Sequence, residues 1–233
     1  MTNWLNRSKL LLGEDAIKKL QTSCVAIFGI GGVGSYTAES LARCGIGKIV
    51  LIDYDIIDVT NINRQIHATS KTIGMYKVEA MQNRLTEINP NIKIVPINLK
   101  YSCHTREEFC FEDYDYIIDA VDMISAKIDL VKNAEIMGIP IISSMGAGNK
   151  LNPTDFIVSD IYKTKVCPLA RVMRHELRKI GIAELKVVYS QEEPIKTSLM
   201  DSSNRKLIPG SVSFVPSVVG LIIASEVVKD LIK

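Results

Sequence analysis

The chain has 233 residues, 47% of them apolar and 23% charged, with a formal net charge of +2. This length and composition suit a buried core in one domain, or one domain with an appendage, and exclude a disordered chain. Bulk charge demands no polyanionic partner, and five cysteines without a Cys-x-x-Cys pair argue against a disulfide framework or a structural zinc site.

The first apolar cluster is broken by Arg7 and Lys9, so no signal peptide is expected there. Residues 24–28 form a short apolar run that ends in glycines, and they predict a strand. Ser35 to Cys44 predicts a helix, stopped by Gly45 and Gly47. Strands are expected at 48–52 and 92–98, with a helix at 77–88 between them, closed by Asn89-Pro90. A strand starting at Tyr116 leads into Asp119. A helix over 125–137 ends at Gly138, and a strand follows at 139–143. Apolar strands alternating with amphipathic helices mean a mostly parallel sheet, Rossmann-like, with helices on both faces.

The pattern changes after residue 150. Strands are expected at 156–160 and 186–190, flanking a basic amphipathic helix over 167–180, so the parallel sheet should gain an antiparallel extension. Residues 191–210 are polar and turn-rich, and so long a loop is usually functional or mobile. The run from Val215 to Lys233 is apolar, but Ser217, Ser225, Glu226, Lys229 and Asp230 interrupt it. It predicts a buried or interface helix rather than a membrane span, and a cytoplasmic protein follows by default.

Chemistry begins at Gly29-Ile30-Gly31-Gly32-Val33-Gly34, between a strand and a helix. Glycines there let the backbone approach a phosphate, and the helix N-terminus supplies free amide donors. Asp53 ends the second strand, where a carboxylate can accept hydrogen bonds from ribose hydroxyls. These features suit a dinucleotide as well as ATP. The next segment tips the balance: Asp53-Tyr54-Asp55, Asp58-Val59, then Asn61-Ile62-Asn63-Arg64-Gln65 and Lys77. Attack on a nucleoside triphosphate needs cations at the phosphates, whereas hydride transfer does not. Taken singly, Arg64 or Lys77 would pass for a solvated charge.

This set, with Asp119-Ala120-Val121-Asp122, resembles the ubiquitin-activating-enzyme-like adenylating family, which includes the ThiF, MoeB and HesA types. The resemblance implies one adenylating domain over 1–233. Residues 1–150 would bind nucleotide, and 151–233 would hold substrate, RNA and dimer contacts. It also implies ATP with magnesium. Gly29, Gly31, Gly32, Gly34, Asp53, Asp55, Asn61, Arg64, Gln65, Lys77 and Asp122 would form the ATP site. Asp53 would hold the ribose; Asn61, Arg64 and Lys77 the phosphates; Asp122 the metal. Arg64, Lys77 and Asp122 would be catalytic, joined by Arg7, six residues before Gly13, acting across a homodimer. The competing role for Asp122 is a helix N-cap before Ser125.

The crossover loop 191–210 carries no cysteine for a covalent relay. Further stretches are similar to the tRNA threonylcarbamoyladenosine dehydratase branch: Leu11-Leu12-Gly13, Asn61 to His67, Ser143 to Gly148, Pro168 to Arg171, and Gly210 to Pro216. In that branch the nucleophile belongs to the substrate, so no relay is needed. The reaction implied is ATP-dependent cyclisation of the modified adenosine through an acyl-adenylate. A tRNA partner turns attention to residues 163–186, where seven cations face two carboxylates. Lys163, Lys165, Arg171, Arg174, Arg178 and Lys179 are the candidates, with the three arginines spaced to share one helix face. A solvated helix face is the plain alternative.

His67 follows the Asn-Arg-Gln segment, where a role near the site and a structural role both fit. The resemblance leaves room for a sulfur-relay protein partner. The rival functions are adenylation of a ubiquitin-like sulfur carrier, nicotinamide-dependent oxidoreduction, and nucleotide sensing without chemistry.

Overall fold

A computed structural model describes residues 4–197 and 209–233. The expected strands form one seven-stranded sheet, ordered β3-β2-β1-β4-β5-β7-β6. Here β1 is Cys24–Phe28, β2 Lys48–Ile52, β3 Lys93–Ile97, β4 Tyr116–Asp119, β5 Ile141–Ser144, β6 Phe156–Asp160 and β7 Lys186–Ser190. All pairings are parallel except β6 with β7, which supplies the antiparallel extension. The Rossmann-like expectation therefore holds, and strands from both halves of the chain share the sheet.

Alternate residues along the inner strands feed two cores. Val25, Ile27, Ile49 and Leu51 pack with helices α3 (Gly34–Cys44), α4 (Lys77–Ile88) and α7 (Phe214–Leu231). Ala26, Phe28, Val50 and Ile52 pack on the other face with α5 (Ile124–Met137) and with Tyr101, Phe109, Phe111 and Tyr114. Both faces are covered, so β1 is buried at every residue and reads as an uninterrupted apolar run. A third cluster joins α5 to α6 (Pro168–Lys179) and the β7 end of the sheet.

Two short helices escape the sequence pattern, α1 (Asn6–Leu12) and α2 (Glu14–Thr22). Strand β5 begins at Ile141 rather than at residue 139, after Pro140, which has no N–H to give the ladder. The expected apolar C-terminal helix is α7, with nine residues from Val215 to Leu231 buried. No helix among the described residues is long and apolar enough to cross a membrane. Within the expected loop 191–210, residues 198–208 lie outside the described residues.

β1 is followed by β2 on one side and pairs with β4 on the other, so the strand order reverses beside β1. In open α/β sheets, ligands bind at the carboxyl edge at such a switch point. A Cβ on Gly34 would run into the backbone oxygen of Gly29. Glycine there lets the start of α3 lie against the loop that leaves β1.

Candidate nucleotide site

A cavity of about 410 Å³ opens at this edge. Its lining includes Gly29, Gly31, Gly32, Asp53, Asp55, Asn61, Arg64, Gln65, Lys77 and Asp122. Of the residues expected to hold ATP, only Gly34 is outside the lining; it packs beneath the loop. Arg7 is exposed on α1 and does not line the cavity of its own chain.

Asp53 directly follows β2 and is nearly buried. Its carboxylate accepts hydrogen bonds from the Ile30 N–H at 2.6 Å and the Asp55 N–H at 2.9 Å. It thereby ties the glycine loop to the segment after β2, with lone pairs left for a ligand. Burial pushes its pKa up, while the Lys77 charge and these two donors pull the other way. Lys77, at the first position of α4, is only 6% exposed and donates to Asp55 at 2.6 Å. A buried ammonium needs such a counter-ion. Thus Asp55 faces the lysine as its partner and holds it at the cavity wall.

Asp58 caps a short 3₁₀ turn, Val59–Asn61. The Asn61 side-chain oxygen accepts from the Asp58 N–H at 3.1 Å. That leaves the Asn61 amide nitrogen without a partner among the described residues. Arg64 donates from Nη1 to the Thr60 carbonyl at 2.9 Å and to the Asn63 side chain at 2.8 Å. Asn63 in turn donates to the Ser211 carbonyl at 3.0 Å, fastening this segment to the chain entering α7. Gln65 is 6% exposed, and its Oε1 is buried with no partner among the described residues. An unpaired buried acceptor in a cavity wall is what a bound ligand would satisfy.

Asp122 is exposed in the lining and makes no side-chain hydrogen bond among the described residues. The N-cap of α5 is Met123, with no side-chain cap, so the capping role for Asp122 is not used. A carboxylate in a cavity wall with no side-chain hydrogen bond among the described residues is the kind of oxygen ligand a hard divalent cation takes.

Sequence reasoning missed the far walls. Leu99, Lys100 and Tyr101 follow β3 and line the cavity, and the Lys100 ammonium lies 5.1 Å from the centre of the Tyr54 ring. Their place after a parallel strand, at the carboxyl edge, was the available signal. Ala147, Gly148 and residues 209–211 form the opposite rim.

The basic segment is less uniform than its spacing suggests. Lys163, Lys165 and Arg171 are exposed. Arg174 is turned to Thr164, whose carbonyl it meets at 3.1 Å, besides the hydroxyl. Arg178 lies over the Tyr162 ring at 5.0 Å, and Lys179 pairs with Glu176 at 2.8 Å.

A family model described as the ThiF family matches residues 5–233. The tRNA threonylcarbamoyladenosine dehydratase of Bacillus subtilis (strain 168) is 43% identical over 244 residues, covering 100% of this chain and 96% of that protein. The tRNA threonylcarbamoyladenosine dehydratase 2 of Saccharomyces cerevisiae is 39% identical over 201 residues. That alignment covers 85% of this chain but 44% of the longer yeast protein. Among solved structures, the Escherichia coli tRNA N6-threonylcarbamoyladenosine dehydratase TcdA in complex with ATP superposes with a TM-score of 0.88. It is 31% identical, and the match covers 97% of this chain and 93% of that one.

Proposed function

The chain belongs to the ThiF family, and on that premise we propose that it is an ATP-dependent dehydratase of threonylcarbamoyladenosine in tRNA. In the first step a substrate carboxylate oxygen attacks the α-phosphorus of ATP. An acyl-adenylate forms and pyrophosphate leaves. The carbamoyl group of the same nucleoside then attacks the activated carbonyl. The ring closes, AMP departs, and a proton is released. Both reacting groups belong to one molecule, so orientation supplies much of the rate.

One observation carries this reading: Arg64, Asp122 and the buried Lys77 line one cavity with the glycine loop. The two cations would hold the phosphates against their mutual repulsion and offset the charge that develops on pyrophosphate. The unpaired Asn61 amide and the Gln65 oxygen would complete the contacts. Asp53 would take the ribose. Asp122 is the fitting ligand for Mg2+. No group of three acidic, histidine or cysteine ligands occurs among the described residues. Asp122 is thus the residue of this lining that would hold the ion. Its chemistry is to neutralise and orient those phosphates.

The rest of the reading is built on the same frame. The whole chain acts as one adenylating domain, working as a homodimer in which Arg7 reaches the neighbouring site. Exposed Lys163, Lys165 and Arg171 grip the tRNA backbone in the cytoplasm.

The test is isotopic exchange between pyrophosphate and ATP. The purified protein is given tRNA bearing threonylcarbamoyladenosine, and the product nucleoside is weighed. Exchange and a product lighter by one water are expected. Lys77→Ala should cut kcat/KM about a hundredfold or more. An unchanged rate in that variant would remove the assigned site. Exchange with a sulfur-carrier protein but not with tRNA would replace the substrate, and nucleotide binding without exchange would leave a sensor.

A further inference from the structure

We infer that Lys127, Asp119 and Ser143 form a buried clamp that positions the two cavity loops, 119–123 and 144–148, for the adenylation step. The inference rests on the adenylating role proposed above. None of the three side chains lines the cavity.

Asp119 is the last residue of β4 and is wholly buried; Lys127, one turn into α5, is 1% exposed. The ammonium meets both carboxylate oxygens, at 3.0 and 3.1 Å, and the Ser144 carbonyl at 2.8 Å. The Ser143 hydroxyl donates to Asp119 and lies 3.4 Å from the Lys127 nitrogen. The same carboxylate accepts from the Val121 N–H at 3.3 Å, at the turn that presents Asp122. The side chains of the group are thus bonded to one another and to the main chain of both loops.

Placement gives the clamp its meaning. Asp119 and Ser143 are register partners in the parallel pair β4–β5. Beyond them the strands end and the chains part. One becomes the wall with Val121, Asp122 and Met123, and the other the wall with Ala147 and Gly148. Nothing in a strand ladder fixes the spacing of two loops that leave it. Lys127 does so, because it bonds the carboxylate of one strand end and the main chain of the other.

Stability alone is a poor reason for such a pair. Removing two charges from water is costly, and well-packed apolar replacements are often neutral or better. The same fact supplies the deciding variant. Lys127→Met alone would strand a buried carboxylate, so a loss of folding there would say little. The triple change Asp119→Leu, Lys127→Met, Ser143→Ala leaves no orphaned charge or hydroxyl.

The triple variant is compared with wild type by thermal unfolding, amide hydrogen exchange and pyrophosphate exchange. The clamp predicts a folded protein whose amides at 120–123 and 145–148 exchange faster, with strand amides unchanged. It also predicts a kcat lower by about tenfold or more with a smaller change in KM for ATP, and a higher Mg2+ concentration at half-maximal rate. A folded triple variant with wild-type loop exchange and wild-type kcat overturns the clamp. If the triple variant does not fold, Ser143→Ala decides, since it removes one arm and leaves no charge alone. Faster loop exchange with reduced kcat supports the clamp there, and no change in either sinks it. Amide exchange needs no substrate. A wild-type protein inactive on tRNA would therefore fail the functional reading, while loop exchange still judges the clamp.

Discussion

His67 is 3% exposed, and neither ring nitrogen has a partner among the described residues. Burial, and then the charges of Lys77 and Arg84, lower its pKa from 6.5 to about 4. The folded protein therefore keeps it neutral at pH 7. Above about pH 6.5 it is neutral folded or unfolded and contributes no pH dependence. As pH falls below that, the unfolded chain takes up the proton first, and the folded state loses stability until about pH 4. The full shift corresponds to about 3 kcal/mol. His67→Phe keeps a ring of similar size and removes the titration. Urea unfolding should show a flatter stability curve between pH 6.5 and 4 than wild type. Equal slopes would mean that the buried imidazole is protonated or solvated. Residues differ in how far the sequence reveals them. Asp53 and Lys77 could be picked out because a strand end and a helix start place them at one edge. The same local signals could not say that Asp55 would neutralise Lys77, since that pair spans 22 positions and depends on how α4 meets β2. Nor could they separate a buried orphan such as His67 from a hydrogen-bonded one.

At the scale of elements, helix α6 illustrates how far spacing can be trusted. Arginines at 171, 174 and 178 share a face by periodicity, yet among the described residues only Arg171 of the three is exposed with no side-chain hydrogen bond or ring contact. Thr164 holds Arg174, and Lys179 answers Glu176. The RNA-facing charge should then reside in Lys163, Lys165 and Arg171. Alanine at each of these should lower the salt slope of tRNA binding by about one and weaken binding across tRNAs alike. Lys179→Ala should alter the slope less. Filter binding from low to high salt reads both, and equal effects from Lys179 and Arg171 would spread the surface over the whole helix. The strands were more legible than this helix face. A parallel strand covered on both sides must be apolar throughout, and β1 is, so it matches its expected limits; β2, β6 and β7 do so too, each from a short apolar stretch flanked by polar residues. Helix α2 carries only a short signal, Ile17 and Leu20 three residues apart, and α1 carries less. α1 buries no residue and has no side-chain cap, and it exposes Leu10 at 86% and Leu11 at 88%. Of its three leucines only Leu12 packs, partly buried, against the core of its own chain, so too short an apolar stripe exists to find.

Those exposed leucines bear on the whole molecule. Apolar side chains left on a surface, with Trp4 just before the helix also exposed, are costly to leave in water and suit a protein contact. Arg7 lies on the same short helix, exposed and absent from the lining of its own cavity. A symmetric dimer would bury the leucines and carry each Arg7 toward the neighbouring site, which gives both features one cause. The arrangement has a numerical signature. In a Lys77→Ala chain paired with an Arg7→Ala chain, one site lacks both groups and the other has both. Random reassortment of equal amounts makes half the dimers mixed, so about a quarter of all sites regain full machinery. Each variant alone should be nearly inactive, and the mixture should recover about a quarter of the wild-type exchange rate. If Arg7 served its own chain, every site in every mixed dimer would lack one group and nothing would return. Differently tagged chains and tandem purification show whether mixed dimers formed. Mixed dimers without recovered exchange would place Arg7 outside the neighbouring site and leave the leucine face needing another partner.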